Sequence, residues 1–306
     1  MVRVGSASAT HWAEVLQAVQ APAAQMGALA GQVAPVRHCT HLLVVVSQSG
    51  ETADVLEAMD AAKKKGAKVL SIVNVAGSTI ARTSDYSLKI NAGPEKAVAS
   101  TKAATSQLAV LMLIAYAIRG ELQEGRRVLA ETASAVNDML NPRFLTYVKD
   151  VAESIKSHEN AYIIGKAENY PMALEAAIKI QEVSYMHAEG FAAGELKHGP
   201  IALVEDGQPV VIILPSPRGR ESLHSKVVSN VQEVRARGAR TFVIAEEGDT
   251  VAADYAENVF YVPKAPVLLS PLLTVVPLHL FALELASAKG HDVDQPRNLA
   301  KSVTVE

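Results

Sequence analysis

The sequence predicts an α/β fold made of two doubly wound parallel-sheet domains in tandem. One observation is a short apolar run rich in β-branched residues, His41–Val46, that leads into a polar loop and then a helical pattern. Another is a second cycle of strand, helix and strand that begins near Ala161. The third is a repeated helix end, Lys65–Lys68 in the first cycle and Arg237–Arg240 in the second. Two copies of one strand-loop-helix-strand unit account for all three observations.

The first cycle has alternating strand and helix patterns. Apolar residues recur at helical spacing over residues 53–65, and Gly66 ends this helix as a C-cap. A long apolar helix follows over residues 100–119, and a helix pair fills residues 121–157 with a break at Asn141–Pro142. The predicted strands of this cycle are His41–Val46, Lys68–Asn74 and Tyr86–Ile90.

The second cycle is longer than the first. Its predicted strands are Tyr162–Ile164, Val210–Leu214 and Arg240–Ala245, and its predicted helices are Pro171–Met186 and Glu221–Gly238. Its first strand ends near Gly165, roughly 50 residues before Ser216, whereas the same distance counted back from Ser47 falls before residue 1. The first domain is therefore expected to be truncated at its N-terminus. The expected segments are an atypical stretch at 1–38, domains at 39–140 and 155–290, and a tail at 291–306.

Composition narrows the class of protein. The formal net charge of -3 gives no bias toward nucleic acid or membrane surfaces. The single cysteine, Cys39, leaves no internal disulfide and is typical of a reducing compartment. No apolar run reaches the roughly 20 residues of a membrane span, and no signal peptide opens the chain. A cytoplasmic protein that binds neither nucleic acid nor membrane is expected.

The loop Ser47–Thr52 is the best candidate for anion binding. It lies where a buried parallel strand ends and a helix begins, and this is where open α/β sheets bind ligands. Ser47, Ser49 and Thr52 supply hydroxyl groups, and Gly50 lets the backbone approach an anion closely. Without a lysine, the loop suits a sugar phosphate better than a triphosphate. The alternative is an ordinary helix N-cap formed by Ser49.

A second candidate site lies in the second cycle. Lys179 and Glu182 are three residues apart on one predicted helix with apolar neighbours, so they share a face near the mouth of a cleft. The alternative is an ordinary surface ion pair. His198 follows on the glycine-bounded loop Glu195–Pro200, where it either shuttles protons or has no role. A carboxylate, a lysine and a histidine together suit proton abstraction beside a carbonyl. His187, with its expected helical neighbours, has no metal-ligand spacing, and no metal site is predicted.

Four runs resemble the isomerase half of the glutamine–fructose-6-phosphate aminotransferase family, also called glucosamine-6-phosphate synthase. That half is a tandem of sugar-isomerase (SIS) domains, so the resemblance implies two SIS-type domains and covers residues 40–306. The C-terminal run is specific to the family, whereas the first is shared with many SIS proteins. The runs are Ser47–Asp54, Val98–Ala103, Glu189–Pro200 and Asp292–Glu306.

The resemblance implies a substrate and its binding residues. It implies fructose 6-phosphate as substrate and glucosamine 6-phosphate as product, without a cofactor or a metal. Val98 and Ala300 resemble residues that contact the sugar through their backbone. The implied phosphate ligands are Ser47, Gln48, Ser49 and Thr52.

The resemblance also implies catalytic roles. Lys301 resembles the lysine that forms a Schiff base with the open-chain ketose, and Glu182 resembles the base that moves a proton between C1 and C2. Lys179 resembles the partner of that base near the C2 oxygen. His198 resembles a ring-opening histidine contributed by the neighbouring subunit, which implies an obligate homodimer.

The sequence departs from the family in two places. The glutaminase domain with its N-terminal cysteine is not found here, and Cys39 is in the wrong setting to replace it, so glutamine-dependent synthesis by this chain alone is not expected. Residues 1–38 do not match the first strand and its sugar-holding turn, for which Ser6 or Ser8 is a possible substitute. Two alternatives stay open, a glucosamine-6-phosphate deaminase and a non-catalytic phosphosugar-binding remnant.

Overall fold

The computed structural model describes residues 41–301, apart from the side chains of residues 221 and 222. The expectations for residues 1–38, including Ser6 and Ser8, lie outside the described residues. The chain forms two compact units. The described part of the first unit is 41–126 with 298–301, and the second unit is Arg127–Arg297.

The first unit is built on a three-stranded parallel sheet in the order β1-β2-β3. Its elements in chain order are strand β1 (Leu42–Ser47), helix α1 (Ala53–Lys64), β2 (Lys68–Val73), α2 (Thr79–Thr83), β3 (Tyr86–Lys89) and α3 (Lys102–Ile118). Val45 of β1 and Val55 of α1 are fully buried in one apolar cluster, so the helix packs back onto the strand that precedes it. The predicted C-cap is confirmed, since Gly66 has φ +81° and donates its N–H to Lys63 O.

The second unit is built on a five-stranded parallel sheet in the order β5-β4-β6-β7-β8. The reversal of strand order between β4 and β6 is the switch point of a doubly wound sheet. The remaining elements are α4 (Leu122–Met139), α5 (Pro142–Ile155), β4 (Asn160–Gly165), α6 (Tyr170–Ser184), β5 (His187–Ala192), β6 (Pro209–Ile213), α7 (Glu221–Arg235), β7 (Arg240–Glu246), α8 (Val251–Tyr255), β8 (Asn258–Val262) and α9 (Ser270–Ala288).

The predicted fold class is confirmed, and the sequence missed strand β5. The helix that was expected to reach Met186 ends at Ser184, because Tyr185 takes the left-handed conformation with φ 57°. His187 then opens the edge strand β5 and pairs with Asn160 of β4. The helical neighbours assigned to His187 from the sequence were therefore wrong.

Helix α9 corrects the expectation that no apolar stretch is long enough to span a membrane. Residues Val267–Ala288 have the length and composition of a span, and 50% of that stretch is buried inside the structure. The helix packs against α6 and α5, and its buried residues include Leu278 and Phe281. A core helix that is apolar on most faces has these same features.

Candidate functional site

The predicted phosphate loop joins β1 to α1 in the first unit. Ser47, the last residue of β1, is buried, and its Oγ accepts the Gly50 N–H at 3.0 Å. The Ser47 and Thr52 hydroxyl oxygens lie 3.1 Å apart, and Ser49 Oγ accepts the Glu51 N–H at 3.2 Å. Ser47, Ser49 and Thr52 therefore form a tight turn at the start of a helix.

These bonds leave hydroxyl protons for a ligand. A serine hydroxyl carries one proton and two acceptor lone pairs. The N–H groups of Gly50 and Glu51 occupy acceptor positions on Ser47 and Ser49 and leave their protons available. One proton is used between Ser47 and Thr52, so two of the three hydroxyl protons can still be donated to an anion.

The loop depends on Gly50. Its φ is +70°, in the left-handed region that favours glycine, and a Cβ there would overlap the Ser78 side chain. Its carbonyl accepts the Ile80 N–H at 3.0 Å, which connects the loop to the next helix. Glu51 makes a similar connection, since its Oε1 accepts the Thr79 N–H at 2.8 Å, and this bond lowers the pKa of Glu51. The loop is thus attached to α2 at two points.

The alternative of an N-cap by Ser49 is wrong. The N-cap of α1 is Thr52, and the Thr52 side chain makes no capping hydrogen bond to the helix. It is directed instead to Ser47. The first backbone N–H groups of a 12-residue helix therefore have no N-cap hydroxyl as partner, and such a helix start attracts anions.

Val98 and Lys301 meet in the first unit. The Lys301 ammonium donates to Ala97 O at 2.6 Å and to Val98 O at 3.4 Å, whereas the neighbouring Ala300 is exposed. The loop that carries Val98 is fixed at the start of α3 by Glu95, whose Oε2 accepts the Ala103 N–H at 2.9 Å. Two groups predicted from separate runs of the sequence thus lie in contact.

Lys179 and Glu182 form an ion pair on α6 in the second unit. Lys179 Nζ lies 2.6 Å from Glu182 Oε2, and the two side chains are only 7% and 26% exposed. The alternative of a surface pair is therefore wrong. Burial of the lysine limits the water that can screen the pair, so the half-buried carboxylate keeps a close cationic neighbour. Such a pair can take up and release a proton beside a carbonyl carbon.

Two further polar groups lie behind this pair and were missed by the sequence analysis. Glu175 Oε1 lies 3.9 Å from Lys179 Nζ and 3.1 Å from Nε2 of His279 on α9. The four-residue spacing of Glu175 and Lys179 on one helix could have indicated the first contact. Glu175 and His279 are 104 residues apart in the chain, so no sequence spacing indicates the second contact.

His198 lies on a different element of the second unit. It ends the 3-10 turn Leu196–His198, and its side chain is exposed. The structure therefore places Lys179 with Glu182 on one helix and His198 on a separate loop.

The C-terminal segment is attached to the end of α6. Arg297 donates its backbone N–H to Tyr185 Oη at 2.8 Å, and its guanidinium lies 4.2 Å from the centre of the Tyr185 ring. His291 contacts the same ring from 4.5 Å. Within residues 41–301, no group of three or more His, Cys, Asp or Glu side chains is placed to hold a metal ion.

The parallel sheets and the helices between them define a doubly wound α/β protein, and the family follows from comparison. The model of the SIS domain matches residues 4–117 and 154–289. The chain therefore belongs to the SIS-domain family, with two SIS regions in tandem.

The relatives place the chain within this family. It is 52% identical over 281 residues to the glutamine–fructose-6-phosphate aminotransferase [isomerizing] of Corynebacterium glutamicum, covering 89% of this chain and 45% of that protein. It is 34% identical to the C-terminal domain of glucosamine-fructose-6-phosphate aminotransferase from Francisella tularensis, with a TM-score of 0.74, covering 85% of this chain and 76% of that one. The chain thus matches the C-terminal isomerase half of these enzymes and spans about half the length of the curated relatives.

A more distant structure shares the fold alone. Glucosamine-6-phosphate deaminase from Thermotoga maritima has a TM-score of 0.74 and 24% identity, covering 99% of this chain and 89% of that one. At that identity the likeness supports the fold and carries no conclusion about the reaction.

Proposed function

We propose that this chain is a sugar-phosphate isomerase that binds fructose 6-phosphate and forms glucosamine 6-phosphate when ammonia is supplied. The observation that carries the proposal is the 52% identity to a glutamine–fructose-6-phosphate aminotransferase over 281 residues. The part-buried Lys179–Glu182 pair and the hydroxyl-rich loop of the first unit supply chemistry that fits this reaction.

The Ser47–Thr52 loop holds the phosphate in this proposal. The available hydroxyl protons and the N-terminus of α1 both favour an anion. Gln48 is half-buried beside them and adds an amide donor. The backbone of Val98 and Ala300 contacts the sugar.

The reaction follows from the chemistry of the remaining groups. His198 from the partner protomer opens the sugar ring, and the Lys301 amine attacks the C2 carbonyl and releases water to form a Schiff base. Ammonia attacks the same carbon and releases Lys301. Glu182 then removes a proton from C1 and returns it to C2, while the C1 hydroxyl gives its proton to the imine nitrogen and becomes the aldehyde. Lys179 places a positive charge beside Glu182 and the C2 substituent throughout.

Two further expectations belong to this proposal. A homodimer is required if His198 acts on the partner's substrate, and sedimentation of the purified chain measures this directly. The cytoplasmic address expected from the single Cys39 stays a prediction.

The test is to incubate purified dimer with fructose 6-phosphate, with and without ammonium, and to measure glucose 6-phosphate and glucosamine 6-phosphate. We expect Glu182→Gln to lower kcat about 10²- to 10⁴-fold, because the proton acceptor is lost, and Lys301→Ala to abolish the ammonia-dependent product. Glu153→Gln is the matched control, since Glu153 on α5 forms an exposed pair with Lys156 just beyond the end of that helix, and its loss should leave the rate unchanged.

The other outcomes identify the alternatives. Full activity in Glu182→Gln would contradict the mechanism. Calorimetric binding of fructose 6-phosphate without turnover by the native sequence would identify a non-catalytic phosphosugar-binding protein. Ammonia release from glucosamine 6-phosphate without the forward reaction would identify a deaminase.

A further inference from the structure

A line of four polar side chains runs from helix α9 to the pair proposed as catalytic. His279 Nε2 lies 3.1 Å from Glu175 Oε1, and the same oxygen lies 3.9 Å from Lys179 Nζ. Lys179 Nζ then lies 2.6 Å from Glu182 Oε2. Side-chain exposure is 9% at His279, 10% at Glu175 and 7% at Lys179, and it rises to 26% at Glu182. The line therefore runs from the core toward the surface.

His279 is an exception on its helix. Its neighbours three and four positions away on α9 are all apolar, and two of them, Val275 and Ala282, are buried. Burying a polar group among them is unfavourable unless the group is hydrogen-bonded, and a buried network of this kind is rarely more stable than an apolar replacement. Packing alone gives no reason for a histidine at this position, so its bond to Glu175 is the feature to explain.

We infer that His279 is a positioning residue for the proposed proton transfer, acting through Glu175 on Lys179. The inference rests on the proposed function of the Lys179–Glu182 pair. An ionised carboxylate only accepts hydrogen bonds, so the His279 Nε2–H donates to Glu175. This bond fixes the Glu175 carboxylate, whose charge holds the Lys179 ammonium from the side opposite Glu182. Lys179 is then held between two carboxylates, and Glu182 keeps a fixed orientation for the proton it transfers.

The test compares His279→Leu with His279→Gln, since the glutamine amide places an N–H close to the position of Nε2. For fructose 6-phosphate isomerisation we expect His279→Leu to lower kcat at least about tenfold with KM changed less than about twofold, because orientation is lost while substrate contacts remain. His279→Gln should recover most of the lost rate. Glu175→Gln should lower kcat like His279→Leu, because the fixed negative charge beside Lys179 is lost.

His224 is the matched control. Its Nε2 lies 2.6 Å from Asp249 Oδ2, and the two side chains are 12% and 2% exposed, so it is a similarly buried histidine–carboxylate pair in the same unit. It lies on α7, which carries none of the residues proposed to be catalytic. His224→Leu should leave kcat unchanged. Equal losses in the two leucine variants, unchanged kcat in His279→Leu, or no recovery in His279→Gln would each overturn the inference.

A readout independent of turnover separates this inference from the proposed function. In a spectrum of ¹⁵N-histidine-labelled protein, the His279 signal is identified by its absence in His279→Gln. We expect its Nε2 to carry a proton, and we expect the signal to shift in Glu175→Gln. A Nε2 without a proton would overturn the inference even in an active enzyme. Because the spectrum is recorded on the native sequence, this test also holds if His279→Leu does not fold. If the native chain does not turn over fructose 6-phosphate, the proposed function fails, and the spectrum still decides the hydrogen bond.

Discussion

The two units share one strand-loop-helix-strand core, but the side chains in and around the loop of this core make different contacts in the two units. Val46 lies opposite Ile72 in the first sheet, and Ile213 lies opposite Ile244 in the second. Counting from these pairs makes Ser49 equivalent to Ser216, three residues beyond Val46 and Ile213 respectively. Both serine oxygens accept the N–H two residues later at 3.2 Å, so the start of the loop has the same local geometry in both units.

The side chains around the loops then differ. In the second unit Arg218 donates from Nε and one terminal nitrogen to Glu246, at 2.6 and 2.7 Å, so an ion pair joins the loop to the end of β7. The equivalent of Glu246 in the first unit is Asn74, whose amide holds Ala92 and Gly93 in the neighbouring loop. The cation of the second loop is therefore satisfied by the end of the next strand, whereas the first loop, proposed as the anion site, has no such ion pair with Asn74.

The sheets differ in a second respect. Strands β4 and β5 flank helix α6, which carries Lys179 and Glu182, and the described part of the first unit contains no counterpart of these two strands. The first unit supplies the proposed phosphate loop and Lys301, and the second supplies the proposed proton-transfer pair. The two copies of the core thus have different proposed roles, phosphate binding in the first unit and proton transfer in the second.

The largest effect is expected from Gly50→Ala in the first loop. The substitution forces a side chain into the left-handed region, and it creates an overlap with Ser78, which is buried and caps α2. We expect a loss of about 3 kcal/mol in the free energy of unfolding and loss of fructose 6-phosphate binding. Denaturant titration and calorimetry measure the two effects.

Gly66→Ala is the matched control for this substitution. Gly66 has φ +81°, and a Cβ there would meet no atom within 4 Å, so only the conformational cost of about 1 to 2 kcal/mol remains. Equal losses in both variants would show that the overlap with Ser78 does not contribute, and that Gly50 is not special to the loop.

The next effect is a difference between Ser49→Ala and Ser216→Ala. Both variants lose the same local bond to the backbone, and only Ser49 is proposed to donate its hydroxyl proton to phosphate. We expect Ser49→Ala to weaken fructose 6-phosphate binding about tenfold or more, which is the contribution of one hydrogen bond to a charged group. Ser216→Ala should leave the Kd unchanged in the same calorimetric titration. An equal loss in both would remove the functional distinction between the loops.

Local patterns in the sequence were sufficient to predict many of the strands and helices and part of the candidate site. The β-branched run that ends at Val46 predicted a buried strand opening into a helix, and the structure has that strand at Leu42–Ser47. The break at Asn141–Pro142 is confirmed by Asn141 Oδ1, which accepts the Phe144 N–H. The three-residue spacing predicted that Lys179 and Glu182 share a helix face. Each of these features is decided by neighbours within one or two helical turns.

The missed features depend on distant contacts or on unusual conformations. Strand β5 follows a left-handed Tyr185, and no general pattern marks a non-glycine residue for that conformation. Helix α9 is apolar on most faces, so its sequence lacks the periodic signal of a surface helix. The bond between His279 and Glu175 joins two helices that are far apart in the chain.

The smallest effect concerns the ion pair that closes the second loop. Burial raises the pKa of Glu246, but hydrogen bonds from Arg218 and Ser216, together with the charges of Arg218 and Lys264, outweigh this and hold the pKa below its ordinary value. A carboxyl whose pKa is lowered by folding contributes stability above its unfolded-state pKa and loses that contribution as the pH falls through its folded-state pKa. Since Arg218 is 46% exposed and solvent screens the pair, we expect Glu246→Gln to cost only about 1 kcal/mol at pH 7.

The pH dependence decides whether charge is the cause. The difference between the native sequence and Glu246→Gln should begin to shrink below about pH 4.3 and approach zero as the pH falls further, as measured by urea unfolding at each pH. Glu257→Gln is the control, because Arg240 binds Glu257 in a similar fork that is more exposed on the carboxylate side, and its loss should cost no more than about 0.5 kcal/mol. A difference that persists unchanged at pH 3 would show that Glu246 acts through packing. Phosphate binding is a separate measurement on the same variant. If the stability difference disappears at low pH and Glu246→Gln also binds phosphate, the ion pair is what keeps this loop from being an anion site, because Arg218 is then free to bind the ligand.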